Sequence, residues 1–191
     1  MLATHPERNM TIRKIIIYPD PVLQKTAAPV TEFDDELKTL TEDLLETMYA
    51  FKGIGLAAPQ IGELFRIFVM DAEQEENLEN GALTDGNPLV FVNPVITETS
   101  EEKVLVEEGC LSFPGIFEKV PRHKWVVVSA EDAEGNKFSL RLEGLAAQCA
   151  QHEIEHLDGH VLTDNLSRTK RRFIKKSLRK RKKTRGLRYA V

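Results

Sequence analysis

A chain of 191 residues with 41% apolar and 29% charged residues is long enough to bury the core of one domain and too polar to belong inside a bilayer. No apolar run approaches the length of a membrane span, and the first ten residues, which include Glu7 and Arg8, do not read as a secretory leader. Two cysteines in unlike surroundings exclude a disulfide framework and point to free thiols in a reducing, cytoplasmic setting. The net charge of -4 hides a division: residues up to Asp164 hold all 30 acidic and 13 of the 26 basic side chains, for -17, and the last 27 residues carry +13.

In chain order, residues 1–10 are polar, and Met10 is an alternative start. Asp20-Pro21 and Ala28-Pro29 mark extended or turning chain. Leu37, Leu40, Leu44, Met48 and Phe51 then recur at three and four residues, which predicts an amphipathic helix from Asp34 to Lys52, stopped by Gly53. The run from Gly53 to Gly62 is small and nearly uncharged. It lacks the Gly-Lys-Ser/Thr ending of a phosphate loop, follows a helix rather than a strand, and contains Pro59, so nucleotide binding is disfavoured. Strands are predicted at Arg66 to Asp71, Leu89 to Thr97, Lys103 to Glu107, Lys124 to Glu131 and Lys137 to Leu142, the last two joined in a hairpin across Gly135-Asn136. The acidic stretch from Ala72 to Pro88 reads as a surface loop. Antiparallel strands packed around a central metal-binding helix, with one helix before and a basic helix after, give an α+β fold. Residues 1–166 are expected to form the catalytic domain and 167–191 a basic helical appendage to it.

Chemistry concentrates in Gln151-His152-Glu153-Ile154-Glu155-His156. Histidines four residues apart share a helix face about 6 Å apart along the axis, so both imidazoles can reach one ion, and Glu153 can lean over a water beside it. A solvated helix face would explain the polar residues, but Leu145, Ala146, Cys149 and Ile154 make the same helix apolar elsewhere. The third ligand must come from a distant segment. His160 and Cys149 lie too far along the helix from their partners, and Leu162 stands where the longer metalloprotease pattern requires histidine. Cys110, in Glu108-Gly109-Cys110-Leu111-Ser112, is the best candidate, although a buried inert thiol is the commoner fate of a lone cysteine. His123, between Arg122 and Lys124, is the competitor and is expected to be exposed.

Together, Gly53-Ile54-Gly55-Leu56-Ala57-Ala58-Pro59-Gln60, Glu108-Gly109-Cys110-Leu111-Ser112 and Gln151-His152-Glu153-Ile154-Glu155-His156-Leu157-Asp158-Gly159 resemble the three signatures of the peptide deformylases, over about residues 12 to 180. That resemblance implies hydrolysis of the N-formyl group from the formyl-methionine of newly made polypeptides, with release of formate. It implies Cys110, His152 and His156 as metal ligands, Glu153 as the catalytic carboxylate, and the Gln60 side chain with the Leu111 N–H as oxyanion contacts. Ile54 and Gly55 would lie along the peptide and Leu145 would line the methionine pocket. Glu108 would pair with Arg122, and Gly55, Leu56 and Gly109 would crowd the carbonyl enough to exclude acetyl groups. Fe(2+) is the metal it implies, with Zn, Ni or Co able to occupy the same ligands.

The basic end carries Arg171, Arg172, Lys175, Lys176, Arg179, Lys180 and Arg181 beside Phe173, Ile174 and Leu178. The apolar trio predicts a helix packed on the body, with its charges outward. A solvated face is the usual reading of such a run, but the lack of any acid there favours a polyanion partner, and few apolar residues are free to enter a membrane; within the resemblance that polyanion is ribosomal RNA near the exit of the nascent chain. A monomer is expected.

Overall fold

The computed structural model describes residues 11–76, 83, 84 and 86–185. The mixed α+β architecture is observed. Helix α1 (Asp35–Ala50) opens where the Asp34 side chain accepts the Leu37 N–H at 3.0 Å, and Asp35 and Glu36 in its first turn complement the helix dipole. Its end departs from expectation. Lys52, not Gly53, adopts the left-handed conformation, at φ 54°, and this lets the Gly53 N–H return to Met48 O at 2.9 Å.

Among the described residues nine strands follow: β1 (Gly55–Ala57), β2 (Ile67–Met70), β3 (Glu75–Glu76), β4 (Leu83–Thr84), β5 (Leu89–Thr99), β6 (Lys103–Gly109), β7 (Phe117–His123), β8 (Trp125–Glu131) and β9 (Lys137–Glu143). Five of them form an antiparallel sheet in the order β1-β2-β5-β8-β9, which leaves β1 at an edge. β6 and β7 pair as a separate ribbon, and β3 pairs with β4. The stretch from Ala72 to Pro88, expected as plain loop, therefore contains a short strand pair, while residues 77–82 and 85 lie outside the described residues. β1 and β7 were not foreseen.

Helix α2 (Gly144–Leu157) and helix α1 take opposite faces of the β1–β2–β5 end of the sheet, and the period of two explains how. Ile67 and Val69 of β2, Val92 of β5 and Leu56 of β1 pack towards α1 with Leu44 and Met48. Phe68, Met70, Phe91 and Ala57 pack towards α2 with Ala147, Ala150 and Ile154. Strands covered on both sides show unbroken burial rather than alternation. β7 borders α2 through Gln151, whose amide bonds both the N–H and the C=O of His123 at 2.9 and 3.0 Å.

Helix α3 (Arg168–Arg185) lies on a third cluster, where Ile174 and Leu178 meet Tyr18, Leu23, Phe113 and Val120. The expected apolar trio is only a pair, because Phe173 faces away from this cluster and is 73% exposed. No helix among the described residues is long and apolar enough to cross a membrane.

Candidate metal centre and its cleft

α2 is apolar towards the sheet, and its next stripe carries His152, Glu153 and His156 into a space closed by the end of β6. All three are buried. The two imidazoles, four residues apart, meet edge to face with centroids 4.9 Å apart. Cys110 leaves β6 directly after Gly109 and brings its Sγ to 3.3 Å from His156 Nε2. The donor atoms of Cys110, His152 and His156 all lie within 4.8 Å of one another, so that small side-chain shifts would bring all three to one ion. His123 is not part of this group: its Nδ1 bonds Ser100 O at 2.5 Å, and it is half-buried rather than exposed.

The centre is braced from behind. Glu108 takes Arg122 Nε and Nη2 on its two oxygens, at 2.6 and 2.8 Å, and its Oε2 also takes His152 Nδ1 at 3.0 Å. That contact leaves His152 Nε2 for the cleft. Arg122 reaches a second carboxylate, Glu155, at 2.5 and 3.0 Å. Glu155 had no expected role, although its place in the His152–His156 motif was a signal that it shares their helix turn. Burial pushes the Glu108 carboxyl up, but Arg122 and His152 outweigh it and hold Glu108 below the usual carboxylate range. Burial also opposes charge on His152, yet its bonds to Cys110 and Glu108 and the charges of Cys110 and Glu153 outweigh it and hold its pKa above the usual histidine range. His156 is held neutral by burial and by the charge of His152. Its Nδ1 is buried without a partner.

Glu153 differs from Glu108. Burial drives its pKa up to about 7, against the pull of His152, and its Oε2 is buried with no partner. Gln60 is 1% exposed. Its Oε1 takes the Ala57 N–H at 2.8 Å, which turns the amide NH2 towards Ser112 Oγ at 3.3 Å and Cys110 Sγ at 3.5 Å.

These groups open on a cleft of about 460 Å³. Ile54, Gly55, Gln60, Gly109, Leu111, Leu145, His152 and Glu153 line it, as do Phe117 and Gln148, which the sequence did not single out, and Cys149, expected only as an apolar position of the helix. A second hollow, of about 590 Å³ between α1 and the chain around Val30, contains none of these groups. One expectation about the cleft fails. Leu56 is fully buried on the α1 side of β1, since alternation turns it away from the cleft that Gly55 borders. Gly109 is crowded by its own neighbour, because a Cβ there would stand 2.8 Å from the Phe117 ring. At Gly55 a Cβ would fall 2.5 Å from Cys149 Sγ and 2.6 Å from Glu153 Oε1, so this glycine makes room for the carboxylate.

Fold and cleft together define a metal-dependent hydrolase. A family model described as polypeptide deformylase matches residues 12–172. The chain is 43% identical over 177 residues to a peptide deformylase of Rhizobium meliloti, covering 93% of this chain and 98% of that protein. Among solved structures, a peptide deformylase from Legionella pneumophila superposes with a TM-score of 0.81 at 41% identity, covering 92% of this chain and 98% of the other. One from Ehrlichia chaffeensis, in complex with actinonin, gives 0.82 at 38% identity, with 92% and 99% covered. The chain belongs to the peptide deformylases, which remove the N-formyl group from newly synthesised polypeptides and release formate.

Proposed function

We propose that Cys110, His152 and His156 hold the single metal ion of this deformylase on α2, and that Glu153 is its proton-transfer group. The observation that carries this is the pairing of a compact thiolate and imidazole donor set with a buried carboxylate whose Oε2 has no partner. One thiolate and two imidazoles suit Fe(2+), Zn, Ni or Co, and Fe(2+) is the ion proposed here. When bound, a divalent ion with three protein ligands acidifies water at its open position and polarises the formyl carbonyl.

The chain's own groups do the rest. Glu153, close to half-ionised near neutrality, takes a proton from the attacking water and returns it to the departing amine. The Gln60 amide, aimed by its bond to Ala57, and the Leu111 N–H donate to the oxyanion, and such a donor is worth about 3 kcal/mol. Edge strand β1 offers Ile54 and Gly55 to the peptide backbone as a strand partner. Leu145 and Gly109, with Cys149, border the space for an unbranched methionine side chain. Residues 1–166 act as the catalytic domain. The outward cations of α3, Arg172, Lys176 and Arg179 among them, form a surface for ribosomal RNA near the exit of the nascent chain, as part of a monomeric cytoplasmic enzyme.

The test is hydrolysis of formyl-Met-Ala-Ser by protein of measured metal content. Glu153→Ala should retain one ion per chain and lose turnover, and Cys110→Ser should lose the ion. Retention of full activity by Glu153→Ala would overturn the assignment. Ribosome co-sedimentation that weakens steeply with salt checks the basic surface.

A further inference from the structure

The basic helix also has an inner face, and it grips one wall of the cleft. Pro114, Gly115, Ile116 and Phe117 line that wall, between the Cys110 loop and β7. On α3, Lys170, Ile174, Leu178 and Arg181 follow one another at four, four and three residues and so share one side of the helix. The two apolar members are 3% and 2% exposed, against Phe113 and Val120, with Cys110 and Ile116 at the margin of the same cluster. The two cations flank them. Arg181 Nη1 donates to Pro114 O at 2.9 Å and lies 3.4 Å from where a Gly115 Cβ would stand. Lys170 Nζ pairs with Glu118, a carboxylate only 8% exposed, directly after Phe117. The wall is thus held at its first residue by one cation and just past its last by the other.

We propose that Arg181 and Lys170 are positioning residues for the peptide, fixing the Pro114–Phe117 wall from behind. This rests on the cleft being the peptide site. Lys170 and Arg181 are themselves exposed, but their head groups reach back over the apolar pair to the wall, whereas Arg172, Lys176 and Arg179 are left for a polyanion. Loss of the helix would weaken small-peptide binding as well as any ribosome contact.

The experiment uses full-length, metal-loaded enzyme and formyl-Met-Ala-Ser. Arg181→Gln and Lys170→Gln are each expected to raise KM about fivefold, the worth of one net hydrogen bond, with kcat within about twofold of the parent. Exchange of the Ile116 amide, which bonds Phe113 O at 3.0 Å, should quicken in both variants, and Arg181→Lys should recover part of the KM. Parental KM and exchange in both glutamine variants would overturn the proposal, as would a fall in kcat at unchanged KM, which would mean that the helix acts on the reacting atoms. Phe117→Ala separates this proposal from the reading beneath it: an unchanged KM would mean that the peptide does not use the wall and would overturn the proposal while leaving the Ile54, Gly55 and Leu145 side of the cleft as the peptide site. Should either glutamine variant not fold, the other and Arg181→Lys carry the same test.

Discussion

Glu108 and Glu153 are both buried carboxylates in one cleft, 3% and 4% exposed, yet their surroundings give them opposite properties. Glu108 spends its oxygens on Arg122 and His152 and stays ionised, whereas Glu153 keeps an oxygen without a partner and is driven to about 7. Depth is common to both, so partners decide which carboxylate braces and which is free to move a proton. Asp71 supplies a third case, away from the cleft floor. It is fully buried and accepts from Tyr49 Oη and from the amides of Glu73, Gly86 and Asn87, which tie down the ends of the acidic loop.

The comparison breaks first at Glu153. Glu153→Ala is expected to lower kcat by about a thousandfold or more with metal content unchanged, measured by formate release and elemental analysis. Next comes the space around it. Gly55→Ala forces Glu153 Oε1 or Cys149 Sγ aside, and a displaced carboxylate of that kind costs about a hundredfold in kcat while the melting temperature stays near the parent's.

Glu108→Ala acts on the other member. Metal affinity, read by competition with a chelator, should fall about 10- to 100-fold, and Arg122, left with Glu155 alone, should cost about 1–3 kcal/mol in denaturant unfolding. Glu155→Gln, on the more exposed side of Arg122, should do the same more weakly.

Asp71→Asn sharpens the contrast at the small end, with about 1–3 kcal/mol of stability lost and catalysis retained. Burial raises the Asp71 pKa, but the Tyr49 hydroxyl and the three amides outweigh it, so the folded value lies below the unfolded one. Its contribution is therefore present above the unfolded pKa and fades as pH falls through the folded one. The stability gap between parent and Asp71→Asn should close in acid, and a gap independent of pH would contradict the assignment.

Much of this was legible in the chain. Spacing alone placed His152 and His156 on one helix face, and the aromatic and β-branched run Trp125–Val128 gave β8, because both are local signals. β7 was missed because Pro121 and its charged residues read as loop. In the fold, Glu118 and Arg122 turn inward to ion pairs, which a pattern of apolar residues cannot reveal. β1 was missed because three residues carry no period. Leu56 was misplaced for the same reason: without the strand, the side to which it turned was unknown. Arg122 was tied to Glu108 through the family resemblance, but its second partner, Glu155, is a matter of tertiary geometry, as is the grip of Arg181 on Pro114.

β1 ends the sheet with one rim unpaired, and it is three residues long. So brief a rim offers little template for aggregation, yet it can register a short stretch of main chain. In the proposed binding mode a guest is read by its amides, with a single side chain sunk beside α2 and the next ones turned outward. In that mode the main chain of the guest carries the grip, and the choice of guest is left to its formyl end and one side chain.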